Sequence, residues 1–288
     1  MISPATSEPR IGLAHSGYVR TFLQEHPDAI DYVEMPYELL QHEPRVQAIA
    51  ELKPLVLHCA SLSVAGTVPP SDETVRAIQH WIEATQTPWL GEHLAFVTAD
   101  RIEAGPFADA YAAGEPYNIG YTVNPVTNAE TVDLVLRKLE LYSKTFPVPV
   151  LLENAPVYFR APGSTMSQTE FICELCKHSD LLLLLDLAHH FITCKTIGVD
   201  PFDELLSLPL DRVTEVHISG VDCQEGMHWD DHTMRAPSEI DRLLQMTLAR
   251  APVRAVTLEY NWSMRFSQGI LLEEIAKTRE ILRFRPHI

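Results

Sequence analysis

Basic side chains are scarce in this chain: 22 Lys and Arg stand against 39 Asp and Glu, a formal net charge of −17. So acidic a surface repels polyphosphate, and neither nucleic-acid binding nor attachment to anionic membranes is expected. Long apolar runs are missing too. The longest, Leu181–Leu185, is far short of the roughly 20 residues that cross a bilayer. The opening MISPATSEPR has no basic n-region and no apolar h-region, so the expected location is the cytoplasm. Glycine, at 12 of 288 residues, is too rare for a collagen-like chain, and a hydrophobic content of 46% excludes disorder. The five cysteines (Cys59, Cys173, Cys176, Cys194, Cys223) are odd in number and irregularly spaced, which argues against a secreted disulfide framework.

What is present is a regular alternation of short apolar runs and helical stretches. Strands are expected at Ile11–His15, Tyr32–Met35, Leu55–Ala60, Trp89–Phe96, Val150–Asn154, Leu181–Asp186, Val213–Ser219 and Ala255–Tyr260. Several are apolar nearly throughout, as parallel strands covered on both faces should be. Helix starts are readable between them. Ser71-Asp-Glu-Thr opens one, Thr127-Asn-Ala-Glu130 and Ser167-Gln-Thr-Glu170 fit capping boxes, Ser238 opens another, and a last helix covers about Gly269–Arg283. Eight strands alternating with helices mean a (β/α)₈ TIM barrel or a long doubly wound sheet. The segment after the first strand, GLAHSGYV, departs from G-x-G-x-x-G, so the barrel is expected. It forms a single domain over residues 1–288, with elaborated loops at about 100–125 and 220–237.

The carboxyl ends of the expected strands carry the chemistry: His15, Glu34, His58, Glu92-His93, Glu153-Asn154, Asp186, His217 and Glu259. In a barrel all such ends face one mouth, where the active site sits. One ionisable strand end can simply satisfy a loop amide. A full ring of them repels and desolvates itself unless a cation resolves the conflict. Imidazoles mixed with carboxylates suit Fe, Mn, Zn or Co rather than Ca or Mg. His189, three residues past Asp186, and Asp230-x-His232 in the seventh loop add donors. Together they exceed what one ion can use, so a cluster of two or three ions is expected. Cys173-x-x-Cys176 lies inside an amphipathic helix and reads as packing rather than redox chemistry. Cys59 reads as a small buried residue, and Glu140 with Lys144 as a solvated pair one helical turn apart.

At these positions the chain resembles the DUF692 family, the multinuclear non-haem iron-dependent oxidative enzymes. The matching motifs are Asp31-Tyr-Val-Glu34-Met, Leu57-His58, Glu92-His93-Leu, Leu152-Glu153-Asn154, Leu185-Asp186-x-x-His189, His217-Ile-Ser-Gly220, Asp230-x-His232 and Leu258-Glu259, in order over nearly the whole chain. The resemblance implies a xylose-isomerase-like TIM barrel related in fold to endonuclease IV. It implies two or three irons in mixed Fe(II)/Fe(III) states and dioxygen as co-substrate. It also implies a cysteine-containing, ribosomally made precursor peptide, presented by a partner protein. Characterised members convert cysteine to an oxazolone–thioamide pair or excise its β-carbon.

Carried over by motif, the metal ligands are His58, His93, Glu153, Asn154, Asp186, His189, His217, Asp230, His232 and Glu259, with Glu153, Asp186 and His217 catalytic. Glu153 is the expected bridge, since a carboxylate has two oxygens for two ions. One departure is His189-His190 where many members carry Asn after the sixth-strand acid; His190 is expected to act as a ligand or to face away as packing. The alternative to an oxidase is a redox-neutral Zn or Mn isomerase or hydrolase on the same barrel, whose ligands would overlap heavily.

Overall fold

The computed structural model of the protein describes residues 8–99, 117–261 and 266–283. Twelve strands lie among them: β1 (Arg10–Ala14), β2 (Tyr32–Pro36), β3 (Leu55–Cys59), β4 (Leu90–His93), β5 (Phe96–Ala99), β6 (Tyr117–Val123), β7 (Val150–Glu153), β8 (Leu182–Asp186), β9 (Val213–Ile218), β10 (Val221–Gln224), β11 (Met227–Asp230) and β12 (Ala255–Leu258). The described α-helices are α1 (Val19–Glu25), α2 (Tyr37–His42), α3 (Asp72–Thr85), α4 (Ala129–Thr145), α5 (Gln168–Lys177), α6 (Leu187–Ile197), α7 (Pro201–Leu205), α8 (Ser238–Leu248) and α9 (Gln268–Arg283).

Eight strands close a barrel in the order β1-β12-β9-β8-β7-β4-β3-β2, and every pairing in it is parallel. These are the eight strands expected from the apolar runs. β3 and β9 are buried along their whole length, because their outward side chains meet helices and their inward ones fill the barrel.

Strand parity organises the interior. Tyr32, Val56, Trp89, Leu151, Leu184 and Ala255 pack together as a cluster separate from the main core, and they plug the barrel below the site. Two residues further along five of these strands stand Glu34, His58, Glu153, Asp186 and Thr257. Gly12 makes room in this plug, since a Cβ there would overlap the Tyr32 ring.

The helix starts follow the sequence with one correction. Ser71 caps α3, and Ser167 with Glu170 closes a reciprocal capping box on α5. At α4 the cap is Asn128, whose side chain accepts from the Thr131 amide, while the Thr127 hydroxyl donates instead to the Met166 carbonyl. The helix thus starts one residue later than the expected box, with a simple Asn128 cap in its place. Ser238 is the first residue of α8.

Both long loops are built around hairpins. β5 pairs antiparallel with β6, and β10 with β11; residues 100–116 of the first loop lie outside the described residues. No described helix is long and apolar enough to cross a membrane.

Candidate metal centre

Seven of the expected donors meet at the carboxyl end of the barrel because they share the inward parity of their strands: His58, His93, Glu153, Asp186, His217, Glu259 and, less directly, Glu34. Glu153 lies at the centre. Its Oε2 is 3.0 Å from His58 Nε2 and 2.6 Å from His93 Nδ1, while its Oε1 is 3.5 Å from both His217 Nδ1 and His189 Nδ1. One carboxylate thus divides its two oxygens between two sets of imidazoles. Glu153, Asp186, His217 and Glu259 each place a ligand atom within 4.8 Å of the others, and His58, Glu153 and His217 do the same.

A third group stands at the hairpin. His189 Nε2 and His232 Nε2 lie 3.4 and 3.0 Å from Asp230 Oδ2, and Ser219 Oγ donates to Asp230 Oδ1 at 2.9 Å. The turn that carries His232 reaches this place because Gly220 lets it approach. A Cβ on Gly220 would overlap the Met234 carbonyl oxygen.

Residues out of phase with the inward faces fall elsewhere, which corrects the expectation that all eight strand ends supply the mouth. His15 follows β1 one residue beyond the inward phase and joins no cluster. Glu92 points outward into the helix layer, where Cys59 Sγ donates to its Oε2 at 2.7 Å. Burial pushes Glu92 up to about 8. Behind them Lys138 of α4 donates to the Ser63 and Gly66 carbonyls at 2.8 and 2.6 Å, tying down the loop that follows His58.

Asn154 spends both ends of its amide on the Asp186 main chain, Nδ2 donating to the carbonyl and Oδ1 accepting from the amide, each at 2.9 Å. His190 turns away from the cluster and lies 2.8 Å from the Pro201 carbonyl. Cys173 donates to the Ser207 carbonyl, and burial raises the Cys176 thiol to about 12, which fits packing rather than redox chemistry. Lys144 meets Glu140 at 2.7 Å on an exposed face.

Sequence reasoning missed Glu215. It is fully buried beneath the cluster, taking hydrogen bonds from Tyr32 Oη, Thr257 Oγ1 and Trp89 Nε1. Its Oε1 is 3.8 Å from His217 Nε2, and Glu34 Oε2 is 2.9 Å from that same nitrogen. The spacing Glu215-x-His217 on an expected strand was the available signal, since i and i+2 share a face. Tyr158, in the loop after β7, was missed for want of any such periodicity. Its Oη accepts from the Asp230 amide at 3.3 Å, and its ring lies 4.9 Å from that of Trp229.

The electrostatics bear on whether cations fit. Burial alone would push the His58 imidazole down, yet Glu34 and Glu153 raise it to about 10. His232 rises to about 9 against the same burial, through Asp230 and Glu259. Burial pushes Asp186 up to about 8, with Glu259, Glu153 and Asp230 adding to it and His189 opposing. Glu259 goes the other way, to about 2, because His217 and His232 outweigh its burial. The side chains therefore crowd more negative charge than the fold alone can neutralise, and protons on imidazole fill the deficit. Among the described residues, Asp186 Oδ2 and His217 Nδ1 are buried with no hydrogen-bond partner. Two orphaned donors facing one another across an imidazole–carboxylate set are what metal ions would satisfy.

The comparisons with known proteins agree with this chemistry. A family model described as "RiPP precursor modification enzyme MbnB/TglH/ChrH" matches residues 10–283. A UPF0276 protein of Caulobacter vibrioides is 24% identical over 252 residues, covering 85% of this chain and 84% of that one. A UPF0276 protein of Shewanella sediminis is 25% identical over 258 residues, covering 88% and 87%. Among solved structures, a xylose isomerase domain containing protein from Salmonella typhimurium aligns with a TM-score of 0.59 at 15% identity, covering 96% of this chain and 98% of that one. Endonuclease IV from Thermus thermophilus aligns at 0.56 and 16%, covering 94% and 100%. At such identities the structures establish a xylose-isomerase-like TIM barrel and nothing about activity. The family match, by contrast, spans every donor of the candidate centre, and the chain belongs to the DUF692 family of RiPP precursor modification enzymes.

Proposed function

We propose that the protein is a multinuclear non-haem iron oxidase that uses dioxygen to modify a cysteine of a ribosomally made precursor peptide, presented by a partner protein. One observation carries the reading: the Glu153 carboxylate splits between two imidazole sets while, among the described residues, Asp186 Oδ2 and His217 Nδ1 are buried without a hydrogen bond. His58, His93 and Glu153 Oε2 would hold one ion. Glu153 Oε1, Asp186, His217 and Glu259 would hold a second, and His189, Asp230 and His232 a third. Iron bound there supplies redox chemistry toward a thiolate and dioxygen, which histidine–carboxylate ligation permits by leaving coordination positions open.

The chain's own residues set the geometry. Glu34 and Glu215 bracket His217 Nε2 and fix the tautomer and tilt of its ring. Asp230 holds His189 and His232 toward one point, and Ser219 steadies that carboxylate. Access is one-sided. The His217 and Asp186 side chains are fully buried, whereas those of His93 and His232 are 25% and 29% exposed. A substrate therefore approaches over His93 and His232, and the plug of Trp89 and Tyr32 closes the opposite side to water.

The test is anaerobic reconstitution with iron, a cysteine-bearing peptide encoded beside the gene and its partner protein, followed by air and mass analysis of the peptide. The expected result is a mass change that needs oxygen and iron and is absent when serine replaces the cysteine, since a neutral hydroxyl is a far poorer iron ligand than a thiolate. A change that persists without oxygen, or in the serine peptide, would defeat the mechanism.

A further inference from the structure

The segment Val157-Tyr158-Phe159 is a wall with two faces. Tyr158 turns to the metal centre, where it accepts from the Asp230 amide. Val157 and Phe159 turn the other way and line a groove of about 280 Å³, floored by Leu94, Met166 and Phe171. The volume is slightly below the roughly 300–1,000 Å³ of pockets for drug-sized ligands, so it suits one or two side chains rather than a cofactor. The groove is open at its rim, where Phe159 is 70% exposed.

The wall is held in place along its length. Gln168 Nε2 donates to the Ala155 carbonyl, Asn124 Nδ2 to the Pro156 carbonyl, and the Val157 amide to Thr193 Oγ1. A groove pinned this way does not have to be ordered on binding, which favours affinity. The charges are also one-sided. Of the two charged residues at the groove among the described residues, Glu170 closes the capping box of α5, and Arg160 stands exposed with one nitrogen donating to the Ser164 carbonyl. Its charge complements an acid.

Helix α6 gives the distance to the centre. His189 lies in the cluster, and Thr193, four residues on, lies in the groove. Four residues of helix advance about 6 Å, which an extended peptide covers in about two residues.

From these relationships we infer that the groove is a specificity subsite for the substrate peptide. It takes an apolar side chain two or three residues from the modified cysteine, with an acidic neighbour paired to Arg160. The inference rests on the peptide-cysteine reading above, and its test separates the two. A display library of short peptides, randomised around a fixed cysteine, is selected on the iron-loaded protein, in parallel with a library in which serine replaces that cysteine. Wild type should enrich a large apolar residue two or three positions from the cysteine, beside Asp or Glu. Ala161→Phe, which fills the groove, should reduce that apolar enrichment about tenfold or more, the scale set by burying one such side chain. Arg160→Glu should remove the acidic preference and leave the apolar one. Neither residue touches the metal donors, so iron content and thermal stability should match wild type. Apolar enrichment that persists in the serine library would keep the subsite and overturn the cysteine reading. Enrichment without positional preference, or indifferent to both substitutions, would overturn the subsite. So would a change of oligomeric state in Arg160→Glu, which would assign the groove to a second copy of the chain.

Discussion

Gly91 lies against the His58 imidazole, and a Cβ at position 91 would stand 2.5 Å from His58 Cδ2. The two residues are register partners across β3 and β4, so the absence of a side chain on one strand is what lets the ring on the other reach Glu153. Gly91→Ala should therefore swing His58 off the central carboxylate. The expected stability cost of such overpacking is about 1–3 kcal/mol, while iron content should fall markedly. Metal analysis alongside thermal denaturation checks both. Full iron content in a folded Gly91→Ala protein would show that His58 does not depend on this clearance.

The two carboxylates flanking His217 Nδ1 differ in depth, and their removal should be felt accordingly. Glu259 sits near the open edge at 3.3 Å from that nitrogen, whereas Asp186 is fully buried with Oδ2 unpartnered. Asp186→Ala and Glu259→Ala are both expected to lower iron below the wild-type level, which should exceed one ion per chain. In the metal-free protein Asp186→Ala removes the cap of α6, where the His189 amide donates to Asp186 Oδ1 at 2.6 Å, a loss of about 1 kcal/mol. It also relieves a buried carboxylate raised to about 8 that is a burden near neutral pH, so the net cost should be small. Elemental analysis and denaturation of chelator-treated protein measure the two effects. Undiminished iron in both variants, or zinc alone in protein made with ample iron, would count against the assignment.

Lys138 offers a pH test away from the cluster. Burial pushes its ammonium down to about 8, with Glu92 opposing. The unfolded chain, with a lysine value of about 10.4, then binds more protons than the folded one between these limits, so the contribution of Lys138 to stability rises with pH across that window. The neutral amine still has two N–H groups for its two acceptors, the Ser63 and Gly66 carbonyls. Lys138→Met, which has neither donor, should therefore cost more stability near pH 10 than near pH 7. Urea denaturation of both proteins at the two pH values decides it, and a constant or shrinking cost would refute it.

Much of the barrel and its donors was legible because both obey a period of two. The strands at Leu55–Cys59 and Val213–Ile218 are buried throughout, and His58 and His217, one residue before their ends, stand in the inward phase. The same rule, applied one residue more strictly, would have set His15 and Glu92 aside and brought Glu215 in. Other features have no periodic trace. Thr127 and Asn128 are both good caps, and the choice of Asn128 comes with a contact between the Thr127 hydroxyl and the distant Met166 carbonyl. Tyr158 meets Asp230 across 72 positions of sequence, a contact set by how two loops fold over one mouth.

The last prediction separates family from fold. Endonuclease IV shares the barrel, and a ring of imidazoles and carboxylates could by itself serve phosphodiester hydrolysis. Binding DNA, however, requires cationic side chains that release condensed counterions, and affinity grows steeply with the number of phosphates neutralised. This chain carries a net charge of −17, and the partly exposed donors of the candidate centre among the described residues, His93, Asp230, His232 and Glu259, include two carboxylates and no Lys or Arg. Metal-loaded protein should neither retain duplex DNA in a gel-shift assay at physiological salt nor cut it at an abasic site. Cleavage that metal-loaded wild type performs and Glu153→Gln does not would place the hydrolysis at this centre and overturn the oxidase reading. Cleavage equal in both would point to a contaminant, and no cleavage in either is the outcome expected of a protein whose acidity keeps polyphosphate away from the candidate centre.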